Sequence, residues 1–352
     1  MVYTGRKGEK YFGIEDSWKA GTGFGNQHIP FNPMESGPVP KPIYTQKDFR
    51  SADSLVVTEV WDDQLQEQEK EYPMIYKDPF LALTMFRYKG CSGFGGGATG
   101  QINADMRATG SGGVLRTHDT LWVQTHMEDS AGANDIDKRL KGGEISTYTL
   151  EVDVGDLLRE KATIKIYDFA EQSASMSCHA DFHDKLFTLL GGWSNWNAKN
   201  VDGVIFTRVK VKWNDNDLSG INIKKKLMTV NLTKESTHTS DSLVASEHWD
   251  GDWSWSIEVA GILKTDALIL EAEKAIANKL KQTLKFYMDY DTGEEEYWQM
   301  TNMMVETVES DDMTKASEAK EVTVKFRPYK GSVLSYSGKF AEQTDPTSKI
   351  ND

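Results

Sequence analysis

A ten-residue segment of this chain recurs 188 positions later, and this repeat constrains the fold more than any other feature of the sequence. Residues 53–62 (DSLVVTEVWD) and 241–250 (DSLVASEHWD) are identical at seven of ten positions. The same offset, without a gap, carries Asp78 onto Asp266. A strand, a hairpin, a second strand and a helix N-cap would therefore recur in register. In-register recurrence of this kind indicates a duplicated structural unit.

We therefore expect two homologous tandem domains, at about 1–195 and 196–352. The first is longer, and the extra length falls at about 90–145. Nine of the 29 glycines lie within 90–113, where apolar periodicity is almost absent. This composition predicts a long loop, inserted in the first domain alone.

Three segments alternate apolar and polar residues with a period of two. That period predicts half-buried antiparallel strands with one wet face. The predicted inward residues are Tyr148, Leu150, Val152 and Val154 in the first segment, Ile205, Val209, Val211 and Trp213 in the second, and Val322, Val324 and Phe326 in the third.

Two helices are predicted among these strands. One begins at Asp78-Pro79, an N-cap followed by proline at the first helical position. The other spans about Asp266 to Lys281, where apolar residues recur at helical spacing and form a stripe predicted to face the core. The stripe comprises Ile269, Ala272, Ile276 and Leu280. The predicted fold is mainly β: two β-barrel or β-sandwich domains, each with a flanking α-helix.

The first fifty residues are predicted to be irregular. Five of the nine prolines lie between Pro30 and Pro42. Proline fixes φ and lacks a backbone donor, so this stretch favours an extended arm, either a surface connector or a segment that reaches a neighbouring subunit.

Charge and composition exclude several classes of function. The net charge of −14 argues against a broad phosphate-binding surface. No apolar run approaches the length needed to span a bilayer, and the N-terminus lacks a secretory signal pattern. Two cysteines in 352 residues exclude a disulfide framework. We expect folding in a reducing cytoplasm and no contact with membrane.

Motifs that could support chemistry are weak. The spacing GxGxxA at 93–98 lacks the strand-then-helix context of a dinucleotide site. His179, Asp181 and His183 could share a strand face and approach a metal. A strand whose polar residues simply face water would explain the same pattern. No nucleophile elbow or catalytic pair emerges. We expect no enzymatic activity, no cofactor and no metal.

Acidic residues cluster in two runs and at one repeat position. Glu59 to Glu71 contains six acids and one lysine, and Asp289 to Glu296 contains five acids and no base. Such runs are usually solvated faces. In a duplicated domain, the acidic runs would also recur around an assembly of several chains. They would then lie at hairpins that line the lumen of a ring or form the contacts between stacked rings. The candidate residues are Glu59, Asp62, Asp63, Glu67, Glu69, Glu71, Asp250, Asp252, Glu294, Glu295 and Glu296.

With these features, the sequence resembles the phage tail tube proteins, in particular the two-domain form of non-contractile, siphophage-type tails. The opening 11–18 (YFGIEDSW) looks like that family's short strand before an arm. A Ser-Leu-Val strand then leads through a hairpin to 72–79 (YPMIYKDP), and the second copy ends in the strand-rich 321–328 (EVTVKFRP). The order of strand, hairpin, strand and helix is the specific part, and the glycine-rich insertion has no counterpart in it.

The resemblance implies a structural virion protein without an active site. In that family six such domains form a ring with a continuous inner β-barrel, and rings stack around the tape measure protein. The implied partners are further copies of the chain, the tape measure, tail terminator and baseplate proteins, and DNA that passes without specific binding. The implied location is the virion tail, assembled in the host cell cytoplasm. Because each chain carries two domains, we expect a trimeric ring with pseudo-sixfold symmetry.

Two alternatives remain open at the level of sequence. A baseplate hub or distal tail protein could carry the same duplicated fold and would cap a tube. A carbohydrate-binding β-sandwich module would explain the ten tryptophans, several of which cluster near Trp193, Trp196, Trp253 and Trp255, as a stacking platform.

Overall fold

Antiparallel strands dominate the computed structural model, as expected from the alternating segments. It describes residues 3–14, 28–31, 42–48, 58–65, 68–75, 100–103, 121–129, 135–170, 204–218, 220–237, 247–289, 295–310 and 320–337. Side chains are described mainly within 140–167, 204–218, 220–233, 251–289, 297–309 and 320–335. The prediction of a mainly β fold is confirmed in this part of the chain.

The elements number seventeen strands and one α-helix in the described residues. They are β1 (Tyr3–Ile14), β2 (His28–Phe31), β3 (Pro42–Asp48), β4 (Thr58–Leu65), β5 (Gln68–Ile75), β6 (Gly100–Asn103), β7 (Leu121–Asp129), β8 (Asp135–Asp153), β9 (Arg159–Ile166), β10 (Asp168–Ala170), β11 (Val209–Trp213), β12 (Asn216–Asp217), β13 (Ile221–Thr237), β14 (Glu247–Leu263), α1 (Ala267–Ala277), β15 (Gln282–Asp289), β16 (Glu295–Ser310) and β17 (Glu321–Ser337). A 3-10 helix at Phe206–Arg208 precedes β11.

Fifteen of these strands belong to one antiparallel sheet. Its main path runs β12-β11-β15-β16-β17-β14-β13-β8-β7-β1-β2. Strands β9 and β10 also pair with β8, β5 pairs with β9, and β6 pairs with β17, while β3 and β4 form a separate two-stranded sheet.

The sheet curls until the segment before β11 meets the segment after β8. Leu157 and Ile205 form an isolated antiparallel bridge. Beside it, the N–H of Leu158 donates to the carbonyl of Val204 at 2.7 Å, and the N–H of Phe206 donates to that of Asp156 at 3.2 Å. We call this junction, 156–158 against 204–206, the seam. It lets both ends of the curl cover one interior, which reduces the exposed apolar surface.

The core lies inside this curl and follows the predicted alternation. Burial is nearly complete for the inward residues of the strands, and the largest buried side chains are aromatic: Tyr148, Trp255, Phe286, Trp298 and Phe326. Since successive side chains on a strand point to opposite faces, one face of each strand is dry and the other is wet.

The predicted inward residues are confirmed within strands and wrong just beyond their ends. Tyr148, Leu150 and Val152 of β8 are buried, as are the predicted residues of β11 and β17. Val154 follows the last residue of β8, before a turn at Gly155 with φ of +88°, and is 59% exposed. Ile205 precedes the 3-10 helix and is 44% exposed. A period of two describes strands only, so it fails where the backbone leaves the pleat.

Helix α1 confirms the predicted helix, with Asp266 at the N-cap position. Its buried face is formed by Leu268, Ala272 and Ala275. The predicted stripe is therefore shifted: Ala272 is buried, but Ile276 and Leu280 are 41% and 43% exposed. Small residues sit at the contact because they let the helix approach the sheet closely. The helix predicted at Asp78 lies outside the described residues.

Two predictions of irregular structure are wrong in part. Within the first fifty residues, β1 pairs with β2 and with β7, and β3 pairs with β4. Within the glycine-rich stretch, β6 pairs with residues 333–336 of β17. Glycine and proline lower strand propensity, but a neighbouring strand edge can override it.

The sheet is continuous across the predicted domain boundary at 195/196. Residues 147–153 of β8 pair antiparallel with 225–231 of β13 over seven consecutive positions. The predicted insertion at 90–145 contributes β6, β7 and the first part of β8 to the same sheet. The homology of the two halves stays a prediction.

Candidate assembly surface

The acidic residues of the first run lie on two strands with different partners. Glu59, Asp62 and Asp63 lie on β4, which pairs with β3, whereas Glu69 and Glu71 lie on β5, which pairs with β9. The prediction that these strands form one hairpin is therefore wrong. Glu67 lies outside the described residues.

The predicted second hairpin, at Asp250 to Asp252, is also wrong. Both residues lie inside β14, and the backbone of Asp250 pairs with Lys234 of β13. Lys234 pairs with Asp250 and Leu232 with Trp253, so β14 has one residue more than β13 here, and the extra residue forms a bulge at Gly251 and Asp252. The Asp-Gly-Asp sequence looked like a turn, but the long strand continues through it, with Asp252 exposed.

The acids of the third group begin a strand. Glu295 and Glu296 are the first residues of β16, where their backbones pair with Asp289 and Met288 of β15. Glu294 lies outside the described residues. The backbone thus places the predicted acids on β4, β5, β14 and β16, and it does not bring them into one cluster of neighbouring strands. Their role at a lumen or a ring contact stays a prediction.

The wet face of the central strands carries ion pairs. Lys225 of β13 pairs with Glu151 of β8, and Lys325 of β17 lies 3.1 Å from Glu306 of β16. The Glu151 carboxylate raises the pKa of Lys225, since it stabilises the charged amine. In each pair the lysine offsets the charge of its acid, so these two pairs add no net negative charge to the face.

An open groove of about 510 Å³ lies beside the seam. We call it the seam groove. One wall is formed by residues 206–207 and 209–211, and the other by 217–218 and 221–224, with Val154, Lys226 and Ile262 completing it. Most of its lining is apolar. Its volume falls in the range typical of binding sites.

Lys226 is the buried cation of this groove. It is 5% exposed, and its Nζ donates hydrogen bonds to the carbonyl oxygens of Phe206, at 2.9 Å, and Val209. Its Nζ also lies 3.8 Å from the centroid of the Phe206 ring. Burial, with a smaller contribution from the charge of Lys210, lowers the pKa of Lys226 to about 8. The lysine thereby ties β13 to the segment before β11.

Sequence reasoning missed Lys226, although a signal was present. Met228, Val230 and Leu232 are buried, and a period of two carried back from them reaches Lys226. A run of three lysines looks like a solvated segment, and that composition hides the inward position of its last member.

A polar cluster fixes the turn at the end of β11. Asn214 and Asp215 have φ of 48° and 65°, as two-residue hairpin turns require. Buried Gln282 accepts hydrogen bonds through Oε1 from Trp213 Nε1, at 2.8 Å, and from Asn214 Nδ2. The Lys285 ammonium, which hydrogen-bonds Asp215, lowers the pKa of that carboxyl. These bonds hold β11, and with it one wall of the groove, against β15.

The other candidates have few described residues. The predicted sugar platform is wrong for Trp255, which is 1% exposed and donates through Nε1 to Ser332 at 3.2 Å. Trp193, Trp196 and the segments 93–98 and 178–184 lie outside the described residues. In the part of the chain that is described, no group of three His, Cys, Asp or Glu side chains could hold a metal ion. A helix long and apolar enough to cross a membrane is likewise absent there.

Similarity to known proteins is found among solved structures. No protein-family model matches the chain. No curated protein matches it either. Among solved structures, the chain is similar to one from the "Tail of empty GTA particle computed with helical refinement, C6 symmetry", at 14% identity and a TM-score of 0.27. It is also similar to one from the "Virion of native gene transfer agent (GTA) particle", at 13% identity and a TM-score of 0.26. Each match covers 38% of this chain and 97% of the other.

Proposed function

We propose that this chain is a structural subunit of a phage tail tube, which polymerises as stacked rings into a conduit for DNA ejection. The observation that supports it best is the pairing of β8 with β13, which joins the two predicted halves into one sheet. The same edge-to-edge pairing between chains would close a ring. The sequence resemblance implies a ring of domains joined by strand pairing. The pairing of β8 with β13 within one chain is a joint of the kind that such a ring needs.

Open strand edges in the described residues support a further join between chains. Strand β5 spans eight residues and, among the strands that the structure describes, pairs on one side only, with β9. An unpaired edge presents a row of free N–H and C=O groups, which a neighbouring chain can pair with. Three chains per ring would then give pseudo-sixfold symmetry, with 1–195 and 196–352 alternating around it.

The acidic balance agrees with a conduit for DNA. A channel through which DNA slides should repel phosphate, because clustered basic groups would bind it. Proposed partners are further copies of the chain, the tape measure, tail terminator and baseplate proteins, and DNA without specific binding. The proposed location is the virion tail, and the role needs no catalytic group and no cofactor.

Electron microscopy of the purified protein tests this proposal. Hollow tubes or discs are expected, and a cryo-EM reconstruction should show three chains per ring with the glycine-rich stretch at three points. Six chains per ring would overturn the trimer. Single caps would favour a baseplate hub, and dispersed particles would overturn self-assembly.

Charge reversal tests the proposed role of the first acidic run. Replacing Glu67, Glu69 and Glu71 by lysine should impair ring stacking or slow DNA passage in infectivity assays. The matched control replaces Glu271, Glu273 and Glu309, which are exposed on α1 and β16, by lysine. Normal tubes and infectivity in the first variant would contradict the role, as would equal damage in both.

A further inference from the structure

The seam groove holds a buried cation that lacks a carboxylate in the described residues. An ammonium has three N–H donors, and Lys226 commits two of them to the carbonyl oxygens of Phe206 and Val209. No described Asp or Glu lies within ion-pair distance of it, including Asp217, the one acid of the lining. Of the other two lysines of the lining, Lys224 is paired with Glu321, and Lys210 adds a second positive charge. Buried charges in proteins are normally paired, so the groove is electrostatically incomplete.

Apolar side chains are exposed beside this cation. Val154 lines the groove and is 59% exposed, while Ile205, adjacent to the lining residue Phe206, is 44% exposed. They flank the buried apolar residues of the lining. Contiguous exposed apolar surface next to a specific polar group is typical of an interaction site.

Two strand edges also border the groove. Residues 209–211 of β11 pair with β15 on one side, and residues 221–223 of β13 pair with β14 on one side. The pairing of β13 with β8 begins only at Lys225. Within the described residues, these short backbone segments have no strand on their other side, and of their carbonyls that of Val209 already accepts from Lys226. An extended peptide can add to such edges.

We propose that the seam groove receives an extended, acidic segment of a second copy of this chain, which places a carboxylate at Lys226. This rests on the proposed self-assembly and names one of its contacts. The net charge of −14 makes another copy a rich source of acids that complement the lysines of the groove. An acid flanked by apolar residues would satisfy the cation and cover Val154 together.

The occupant is a polypeptide because the groove offers more than charge and apolar surface. A free fatty acid would satisfy both of these, but it would leave the edge of β13 at 221–223, and the edge of β11 beyond the Val209 carbonyl, without a partner strand. The depressed pKa of Lys226 agrees with a site that awaits an anion, since a carboxylate there would raise the pKa again.

Zero-length cross-linking of assembled protein tests the contact. Tubes are grown from an equal mixture of unlabelled and ¹⁵N-labelled chains and treated with a water-soluble carbodiimide. The carbodiimide becomes a urea by taking up one carboxylate oxygen and two protons, and the lysine ammonium gives up those two protons as its nitrogen forms the amide. We expect peptides that join Lys226 or Lys210 to an Asp or Glu peptide of mixed isotope composition. Cross-links within one copy only, or none at these lysines, would overturn the proposal.

Two variants give an independent readout. Lys210→Glu should raise the concentration needed for assembly at least about tenfold, as expected for loss of a close charge pair across an interface. Lys212→Glu is the matched control, two residues along the same strand and outside the groove lining, and should leave it unchanged. Equal effects of the two variants would overturn the proposal. Lys226→Met should act like Lys210→Glu, with its melting curve recorded to show that it folds.

The two proposals fail in different ways. If the purified chain forms no rings or tubes, the proposed function fails. If tubes form normally with Lys210→Glu and without mixed-isotope cross-links, the tube proposal stands and the groove contact alone is wrong.

Discussion

The rings of Trp213 and Phe326 meet edge to face, with centroids 5.1 Å apart and planes at 82°. Trp213 lies on β11 and Phe326 on β17, and β15 and β16 separate these strands in the sheet. The contact therefore crosses the interior of the curl. Edge-to-face pairs add to the stabilisation from burial alone.

Truncation of this pair should be costly. Phe326→Ala should lower the free energy of unfolding by about 3–5 kcal/mol, because it removes a fully buried ring and leaves a cavity. Tyr329→Ala, three residues along β17 and 47% exposed, should cost less than about 0.5 kcal/mol. Chemical denaturation measures both. Equal losses would show that the interior is not packed as described.

Gln282 should matter through its acceptor oxygen. Gln282→Leu leaves Trp213 Nε1 and Asn214 Nδ2 without this acceptor and should cost about 1–3 kcal/mol. Adding Trp213→Phe removes one of the two donors, so the double variant should lose less than the sum of the single losses. Strict additivity in this double-mutant cycle would contradict the network.

The stability contributed at Lys226 should depend on pH. Its folded pKa, about 8, is below the ordinary 10.5, so above pH 8 the folded chain loses this proton before the unfolded chain does. The free energy of unfolding should therefore rise between about pH 8 and 10.5, relative to a Lys226→Met variant. Denaturation of the dispersed chain at fixed ionic strength measures the difference.

Lys210 supplies the control for that pH effect. Its charge contributes to the lowered pKa of Lys226, so Lys210→Met should raise this pKa and shift the start of the rise to higher pH. A difference between wild type and Lys226→Met that does not change with pH would contradict the burial of the ammonium.

Gly261 should not accept a side chain. A Cβ there would lie 2.8 Å from the Cα of Ile223, and backbone on the paired strand cannot rotate away. Gly261→Ala should cost about 1–3 kcal/mol through overpacking. At Gly251 the nearest atom to an added Cβ is the Cβ of Thr233, at 2.7 Å, so Gly251→Ala combined with Thr233→Gly should be tolerated better than Gly251→Ala alone. Calorimetric melting temperatures give the comparison.

The sequence allowed prediction of the strands with uninterrupted alternation, such as those that bury Leu150, Val211 and Val324. It misled at Asp250 to Asp252, because a long strand that carries a bulge has the same local composition as two strands and a turn. The stripe of α1 was misplaced at Ile276, since the packing partner decides which flank of an apolar stripe is covered. Lys226 was missed because it ends a run of three lysines, and such a run suggests solvent exposure even at a position where the alternation of the strand points inward.

The pairing of β8 with β13 also dictates when the sheet can be completed during synthesis. Thr147 is translated long before its partner Asn231, so the edge of β8 that β13 later covers stays open while the intervening chain is made. Such non-local pairing is slow, because the chain loses conformational entropy on closing the loop before the strand contacts form. Nascent chains released early, without β13, would expose this edge to one another, and premature termination upstream of residue 221 should therefore yield aggregates instead of a stable half.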